Sequence, residues 1–163
     1  MLKYLCNFQE KDMKSLFLII FILIITTMSK AQQTKFDFSV NHQALSVKDV
    51  DKSAAFYSKV LGLAEITNRT GMPGIRWFSF AEGKELHLIS TLKEPVQINK
   101  AVHIALTTSQ FDAFIKHLEE LKIPYSDWPG VAGKVNIRAD GIKQIFFQDP
   151  DGYWIEVNSV GVK

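Results

Sequence analysis

The sequence predicts an α+β protein built from two paired βαβββ modules that form one curled mixed sheet. Three observations lead to this prediction. The order strand, helix, several strands occurs twice along the chain. The motif His-Gln-Ala-Leu at residues 42–45 is matched by His-Ile-Ala-Leu at residues 103–106. A glycine followed four residues later by His or Glu occurs at residues 83–87 and again at residues 152–156.

A leader precedes the two modules. We place the leader at residues 1–31, the first module at residues 32–94 and the second module at residues 95–163. Residues 16–25 are continuously apolar, follow two lysines and precede small residues near Ala31. This layout is typical of a cleavable secretory signal, and the apolar run is shorter than the roughly 20 residues that span a bilayer. We therefore expect an exported protein, periplasmic or secreted, that is free of the membrane after cleavage.

The first helix is predicted at residues 51–61. Asp49 or Asp51 is available as its N-cap, and Gly62 follows its last turn. Short acceptor side chains at the start and glycine just past the end are the usual boundaries of a helix.

The second helix is predicted at residues 109–121. Ser109 and Asp112 resemble a capping box at its start. Five apolar residues then recur at helical spacing and share one face: Phe111, Phe114, Ile115, Leu118 and Leu121.

The remaining segments are predicted as short strands, because they are rich in aromatic and β-branched residues. Two glycine-rich stretches, residues 69–74 and 129–141, are predicted as loops. One strand precedes each helix and two further strands follow in each module: residues 42–47, 75–80, 85–89, 102–107, 142–148 and 153–158.

Charge and cysteine content exclude several classes of partner and site. Outside residues 1–31, acidic and basic side chains are equal in number. No basic stripe interleaved with aromatic residues is present, so we expect no nucleic-acid partner. The single cysteine, Cys6, lies in the leader, so the mature chain has no thiolate ligand or nucleophile.

The internal repeat identifies four candidate metal ligands: His42, His87, His103 and Glu156. Imidazole and carboxylate groups suit one divalent transition metal, namely zinc, nickel, iron, cobalt or manganese. An open coordination position would let the ion polarise a substrate oxygen or activate water. We expect the four side chains to converge at one point. The fourth histidine of the mature chain, His117, has no counterpart in the repeat and is expected on the surface.

The chain resembles the vicinal oxygen chelate superfamily, which includes glyoxalase I, methylmalonyl-CoA epimerase, fosfomycin- and bleomycin-resistance proteins and extradiol dioxygenases. The resemblance covers residues 40–158. Its most specific part is Asp-Pro-Asp-Gly-Tyr-Trp-Ile-Glu at residues 149–156. The other parts are residues 42–47 with 56–63, and residues 102–106.

The resemblance implies a paired βαβββ sheet around a metal held by the four candidate ligands. It implies a glyoxalase-like lyase or isomerase that works through a metal-chelated enediolate, with Glu156 as the catalytic base. A small-molecule substrate and a homodimer are further expectations. The candidate substrate-binding residues are Trp77, Phe80, Trp128, Arg138 and Trp154, and Arg76 and Lys134 are further cations that could meet an anionic substrate.

Two departures from the family pattern argue against glutathione as a co-substrate. Relatives that use glutathione carry Arg four residues after the first ligand, where this chain has Ser46. They also carry Asn after the second ligand, where this chain has Ile-Ser-Thr at residues 89–91. Two alternatives stay open. An extradiol-type dioxygenase would use His42, His103 and Glu156, and a small-molecule or drug-binding protein would perform no chemistry.

Overall fold

The computed structural model of the chain describes residues 36–161. The predicted leader at residues 1–31 lies outside the described residues. From Val40 onward the chain forms one compact unit, and the described residues before it include two exposed rings, Phe36 and Phe38. Within the described part of the chain, no helix is long and apolar enough to cross a membrane.

The secondary structure consists of two helices and eight strands arranged as βαβββ twice. The first module contains β1 (His42–Val47), α1 (Val50–Leu61), β2 (Ala64–Ile66), β3 (Ile75–Ser79), a short 3₁₀ turn (Ala81–Gly83) and β4 (Glu85–Ser90). The second contains β5 (His103–Thr107), α2 (Phe111–Glu120), β6 (Asn136–Ile137), β7 (Lys143–Gln148) and β8 (Trp154–Asn158). The predicted α+β class and the paired modules are confirmed. The sequence prediction omitted β2 and β6, which have only three and two residues.

Each module forms its own four-stranded mixed sheet. The strand orders are β1-β4-β3-β2 and β5-β8-β7-β6. β1 runs parallel to β4 and β5 runs parallel to β8, whereas the other pairs are antiparallel. Within one chain the strands therefore make two sheets instead of one curled sheet. β1 and β5 are the equivalent edge strands of these sheets.

Side-chain capping accounts for the start of α1 but not for the start of α2. Asp49 is the N-cap of α1, and its carboxylate accepts from the backbone N–H groups of Asp51 and Lys52, each at 3.0 Å. Gly62 ends α1 in the left-handed conformation. The capping box predicted at Ser109 is wrong, because Gln110 precedes α2 and makes no side-chain capping bond.

The two sheets share a single hydrophobic core around the helices. In the first sheet, the core side chains occupy the strand positions that alternate with His42 and His87. In the second sheet, they occupy the positions that alternate with His103 and Glu156. The core members from the strands are Leu45, Val47, Phe78, Leu86, Leu88, Ile145, Phe147, Ile155 and Val157. Because successive side chains of a strand point to opposite faces, both sets of candidate ligands face away from the shared core.

The segment 149–152 fastens the second module to the first. Tyr57 of α1 donates its hydroxyl to Asp149 at 2.8 Å, and Ser53 donates to Asp151 at 2.7 Å. Asp151 also accepts from the backbone N–H of Lys48 at 2.9 Å. Tyr57 and Asp149 are both buried, and this burial raises the pKa of each group. The Asp-Pro-Asp-Gly motif is thus a structural clasp between modules.

Candidate metal centre

The first module contributes a stacked pair of imidazoles, which we call the first half-site (His42 and His87). Their ring centroids lie 4.3 Å apart, and Trp77 stacks on the other face of His87 at 4.0 Å. The three rings form a stacked column because of the strand register. Trp77 pairs with His87 on one side, and on the other side Ala44 pairs with His87, which leaves room for the ring of His42 two residues earlier. The column leaves His87 only 12% exposed.

Two charged residues that sequence reasoning missed also belong to the first half-site. Glu85 lies 2.8 Å from the Nε2 of His87 and accepts a second bond of 2.8 Å from Arg69. Hydrogen bonds from His87 and Arg69 lower the pKa of Glu85. The guanidinium of Arg69 lies 4.6 Å from the centre of the Trp77 ring. The available signal was position, because Glu85 precedes His87 by two residues and shares its face.

The second module contributes an imidazole and a carboxylate, which we call the second half-site (His103 and Glu156). The Nε2 of His103 lies 3.2 Å from Glu156 Oε2. Glu156 is only 7% exposed, and its other oxygen accepts a 2.7 Å bond from Asn158. The Nδ1 of His103 is 2.7 Å from the carbonyl oxygen of Lys100.

The donor chemistry of the second half-site fits a metal ion. A carbonyl oxygen only accepts, so the Nδ1 of His103 carries the proton that is donated to Lys100. In the neutral ring, Nε2 then presents a lone pair to a carboxylate oxygen of Glu156. Two lone pairs at this distance repel unless a proton or a cation lies between them. An imidazole oriented through its other nitrogen is also the usual arrangement of a metal-bound histidine.

The structure brings the four candidate ligands together as two pairs. Within residues 36–161, no group of three or more His, Cys, Asp or Glu side chains is placed to hold one metal ion. The expectation that all four converge at one point within a single chain is therefore wrong. The physical reason is the shared core, which both sheets contact through the faces opposite to the ligands.

Three of the five candidate substrate-binding residues adjoin the half-sites. Trp77 stacks on His87. Trp128 meets His103 edge-on, with ring centroids 6.5 Å apart, and remains 48% exposed. Trp154 is the cross-strand neighbour of His103.

Phe80 lines a cleft that contains ligands of both half-sites. The cleft has a volume of about 760 Å³. It runs from the start of β1 along the edge of β5, and His42 and His103 both line it. One residue of each half-site therefore borders this space, whereas His87 and Glu156 do not.

The predicted cationic residues are engaged in ion pairs. Arg138 lies in the turn between β6 and β7 and pairs with Asp140 at 2.7 Å. Arg76 pairs with Glu65 and Asp51, and Lys134 pairs with Asp127 at 3.4 Å. The cations that adjoin the half-sites are instead Arg69, described above, and Lys100, whose carbonyl oxygen orients His103.

Comparisons with known proteins agree on one family. The model of the Glyoxalase/Bleomycin resistance protein/Dioxygenase superfamily matches residues 39–157. "Glyoxylase I 4" of Arabidopsis thaliana is 31% identical over 126 residues, covering 73% of this chain and 69% of that protein. "Metallothiol transferase FosB" of Lysinibacillus sphaericus is 31% identical over 127 residues, covering 74% and 82%. A solved glyoxalase/dioxygenase from Nostoc punctiforme superposes with a TM-score of 0.63 at 24% identity, covering 80% and 98%.

Proposed function

The chain belongs to the Glyoxalase/Bleomycin resistance protein/Dioxygenase superfamily, and on that premise we propose that it is a metal-dependent, glyoxalase-like lyase or isomerase acting on a small molecule. The observation that carries the proposal is the 3.2 Å contact between His103 Nε2 and Glu156 Oε2, in which the other ring nitrogen of His103 is already directed to the carbonyl oxygen of Lys100. Metal analysis of the purified protein tests it. A stoichiometric transition metal is expected, and its absence after growth and purification with added metal would refute the proposal.

We assign holding and proton-transfer roles to the residues of the two half-sites. His42, His87 and His103 would hold one divalent transition metal together with Glu156. When bound, such an ion supplies a Lewis acid that polarises a substrate oxygen. Glu156 is the group assigned to move a proton at the adjacent carbon, and Asn158 holds its second oxygen in place at 2.7 Å.

We further propose that the complete site forms between two copies of the chain. One chain offers two half-sites of complementary content, each beside an edge strand, β1 or β5. An unpaired edge strand is a ready surface for pairing with another chain. A twofold axis that pairs β1 with β5 of the partner subunit completes two identical ligand sets at once.

Mixed dimers distinguish this arrangement from a site within one chain. His42→Ala and Glu156→Ala variants carrying different tags are co-expressed, and the heterodimer is isolated through both tags. In the shared arrangement both substitutions fall in one site and the other site is intact. We expect the heterodimer to bind half of the wild-type amount of metal, whereas each variant alone binds almost none. A heterodimer as empty as its parents would contradict the shared site.

The hemithioacetal of methylglyoxal and glutathione is expected to be a poor substrate. Ser46 stands where glutathione-using relatives carry Arg, and its hydroxyl bonds to the hydroxyl of Thr91 at 2.7 Å. Neither group carries a positive charge to attract the carboxylates of glutathione. Formation of the thioester is followed in the ultraviolet with metal-loaded protein, and rapid turnover would show that glutathione is used after all.

A dioxygenase is the second candidate function. Two histidines and one carboxylate are the ligand set of non-haem iron oxygenases, and His42, His103 and Glu156 supply that set. Oxygen consumption by the iron-loaded protein with catechols tests this candidate. A protein that binds its ligand unchanged and retains no metal would instead be a sequestering protein.

We also propose that the protein is exported. The support is the basic, apolar and small-residue layout of residues 11–31. N-terminal sequencing of protein made in its own host is expected to begin near Gln32. Recovery of the full-length chain from the cytoplasm would refute export.

A further inference from the structure

Lys100 holds a loop segment beside the second half-site. Its ammonium group donates to Ser126 Oγ at 3.0 Å, to the carbonyl oxygen of Asp127 at 2.9 Å and to that of Trp128 at 3.3 Å. Three acceptors satisfy the three protons of an ammonium group. Backbone bonds between Ser126 and Phe146 also hold the start of this segment. Lys100 adds the side-chain contacts that reach Trp128.

The same ammonium group also contacts two aromatic rings. It lies 4.9 Å from the ring centre of Trp154 and 5.4 Å from that of Phe146. These distances lie within the range of cation–π attraction. Phe146 is the cross-strand neighbour of Glu156, so both rings lie on the sheet face that carries the candidate ligands. Lys100 is thus anchored to the floor of the second half-site.

The backbone of Lys100 contacts the metal-ligand candidate itself. Its carbonyl oxygen accepts from the Nδ1 of His103 at 2.7 Å, which orients the imidazole. The loop that its side chain holds places the Trp128 ring edge-on to His103 and 5.3 Å from the ring of Phe146. One residue therefore connects the orientation of His103 with the position of the aromatic wall beside it.

We propose that Lys100 is a positioning residue of the second half-site. Its ammonium group fixes Trp128 as a wall of the site, and its anchored backbone holds His103 in the orientation that frees Nε2. The second statement rests on the proposed metal-dependent function, whereas the first concerns the protein without metal.

The position of Trp128 is tested without metal in protein labelled with 5-fluorotryptophan. The chain has three tryptophans, so its fluorine spectrum is assigned by single substitutions. We expect Lys100→Met to shift and broaden the Trp128 resonance. Lys134→Met is the matched control, because Lys134 binds the same segment through Asp127 but is 62% exposed. Its Trp128 resonance is expected to stay at the wild-type position.

A second variant keeps the test decisive if Lys100→Met does not fold. Lys100→Gln keeps a polar side chain in the half-buried position and removes the charge, and it should also move the Trp128 resonance. If the folded Lys100 variants leave that resonance unchanged, the inference is overturned.

Cobalt titration tests the effect on His103. Lys100→Met keeps the carbonyl oxygen that accepts from His103 but removes the side-chain anchor of that backbone. Complete loss of an outer-shell partner lowers metal affinity by about 10–100-fold. We therefore expect a smaller loss of Co²⁺ affinity, at most about 10-fold, and a changed visible spectrum of the bound ion. Lys134→Met should do neither. Unchanged Co²⁺ affinity in Lys100→Met would refute the role toward His103. Wild-type protein that binds no Co²⁺ would instead refute the proposed function, and the fluorine spectra alone would then decide the inference.

Discussion

Replacing His103 with alanine is expected to lower the affinity for Zn²⁺ by more than about 100-fold, since even outer-shell losses cost about 10–100-fold. The substitution removes the ring whose Nε2 faces Glu156 at 3.2 Å, and it leaves that buried carboxylate without its imidazole partner. Titration against a competing chelator measures the change. Circular dichroism of the variant checks that the fold is kept.

His117→Ala is the matched control for this experiment. It removes the fourth histidine of the sequence, whose Nε2 lies 3.0 Å from the carbonyl oxygen of Lys59 near the end of α1. That bond joins the two helices and involves none of the four candidate ligands. Zinc affinity should therefore stay at the wild-type value. Equal losses in the two variants, or full affinity in His103→Ala, would contradict the assigned ligand.

The strands, the first helix and the candidate ligands could be predicted because each leaves a recognisable motif in the sequence. Enrichment in aromatic and β-branched residues located the longer strands, and the boundary residues Asp49 and Gly62 located α1. The internal repeat selected the two pairs of candidate ligands at equivalent positions. The strand and helix signals lie within a few residues along the chain, and the repeat is found by comparing two short motifs in different modules.

The relation between the modules was not predictable in the same way. Alternation shows that His42 and Leu45 lie on opposite faces of β1, but it does not show what each face contacts. The structure shows that the Leu45 face joins the core of the other module. Because the core occupies these faces, the two half-sites of one chain do not meet. We therefore propose a site between two chains and not within one.

The supporting charges were harder to find from sequence. Glu85 could have been found from its position two residues before His87, but Arg69 and Lys100 are single charged residues among many, and no motif distinguishes them from solvated side chains. Their roles come from contacts made across the sheet or across a loop, such as the ammonium of Lys100 on the carbonyl oxygen of Trp128. Such contacts depend on tertiary placement, which local patterns do not encode.

Gly152→Ala is expected to lower the free energy of unfolding by about 2–4 kcal/mol, from backbone strain and overpacking together. Gly152 lies in the clasp between modules with φ of +94°, a conformation that L side chains rarely adopt. An added Cβ would lie 2.8 Å from the carbonyl oxygen of Val96. The backbone there has little freedom to move, because Val96 is itself hydrogen-bonded to Asp151 at 2.9 Å. Urea unfolding measures the loss.

Gly141→Ala separates the two causes. Gly141 has a similar φ of +83°, but an added Cβ would meet no atom within 4 Å. It therefore reports the backbone strain alone, about 1–2 kcal/mol. The excess loss in Gly152→Ala then measures the close approach of the clasp to the segment that connects the modules. Equal losses of unfolding free energy in the two variants would show that the backbone at Gly152 moves to accommodate the added carbon. The loop 149–152 would then be less tightly held than its hydrogen bonds indicate.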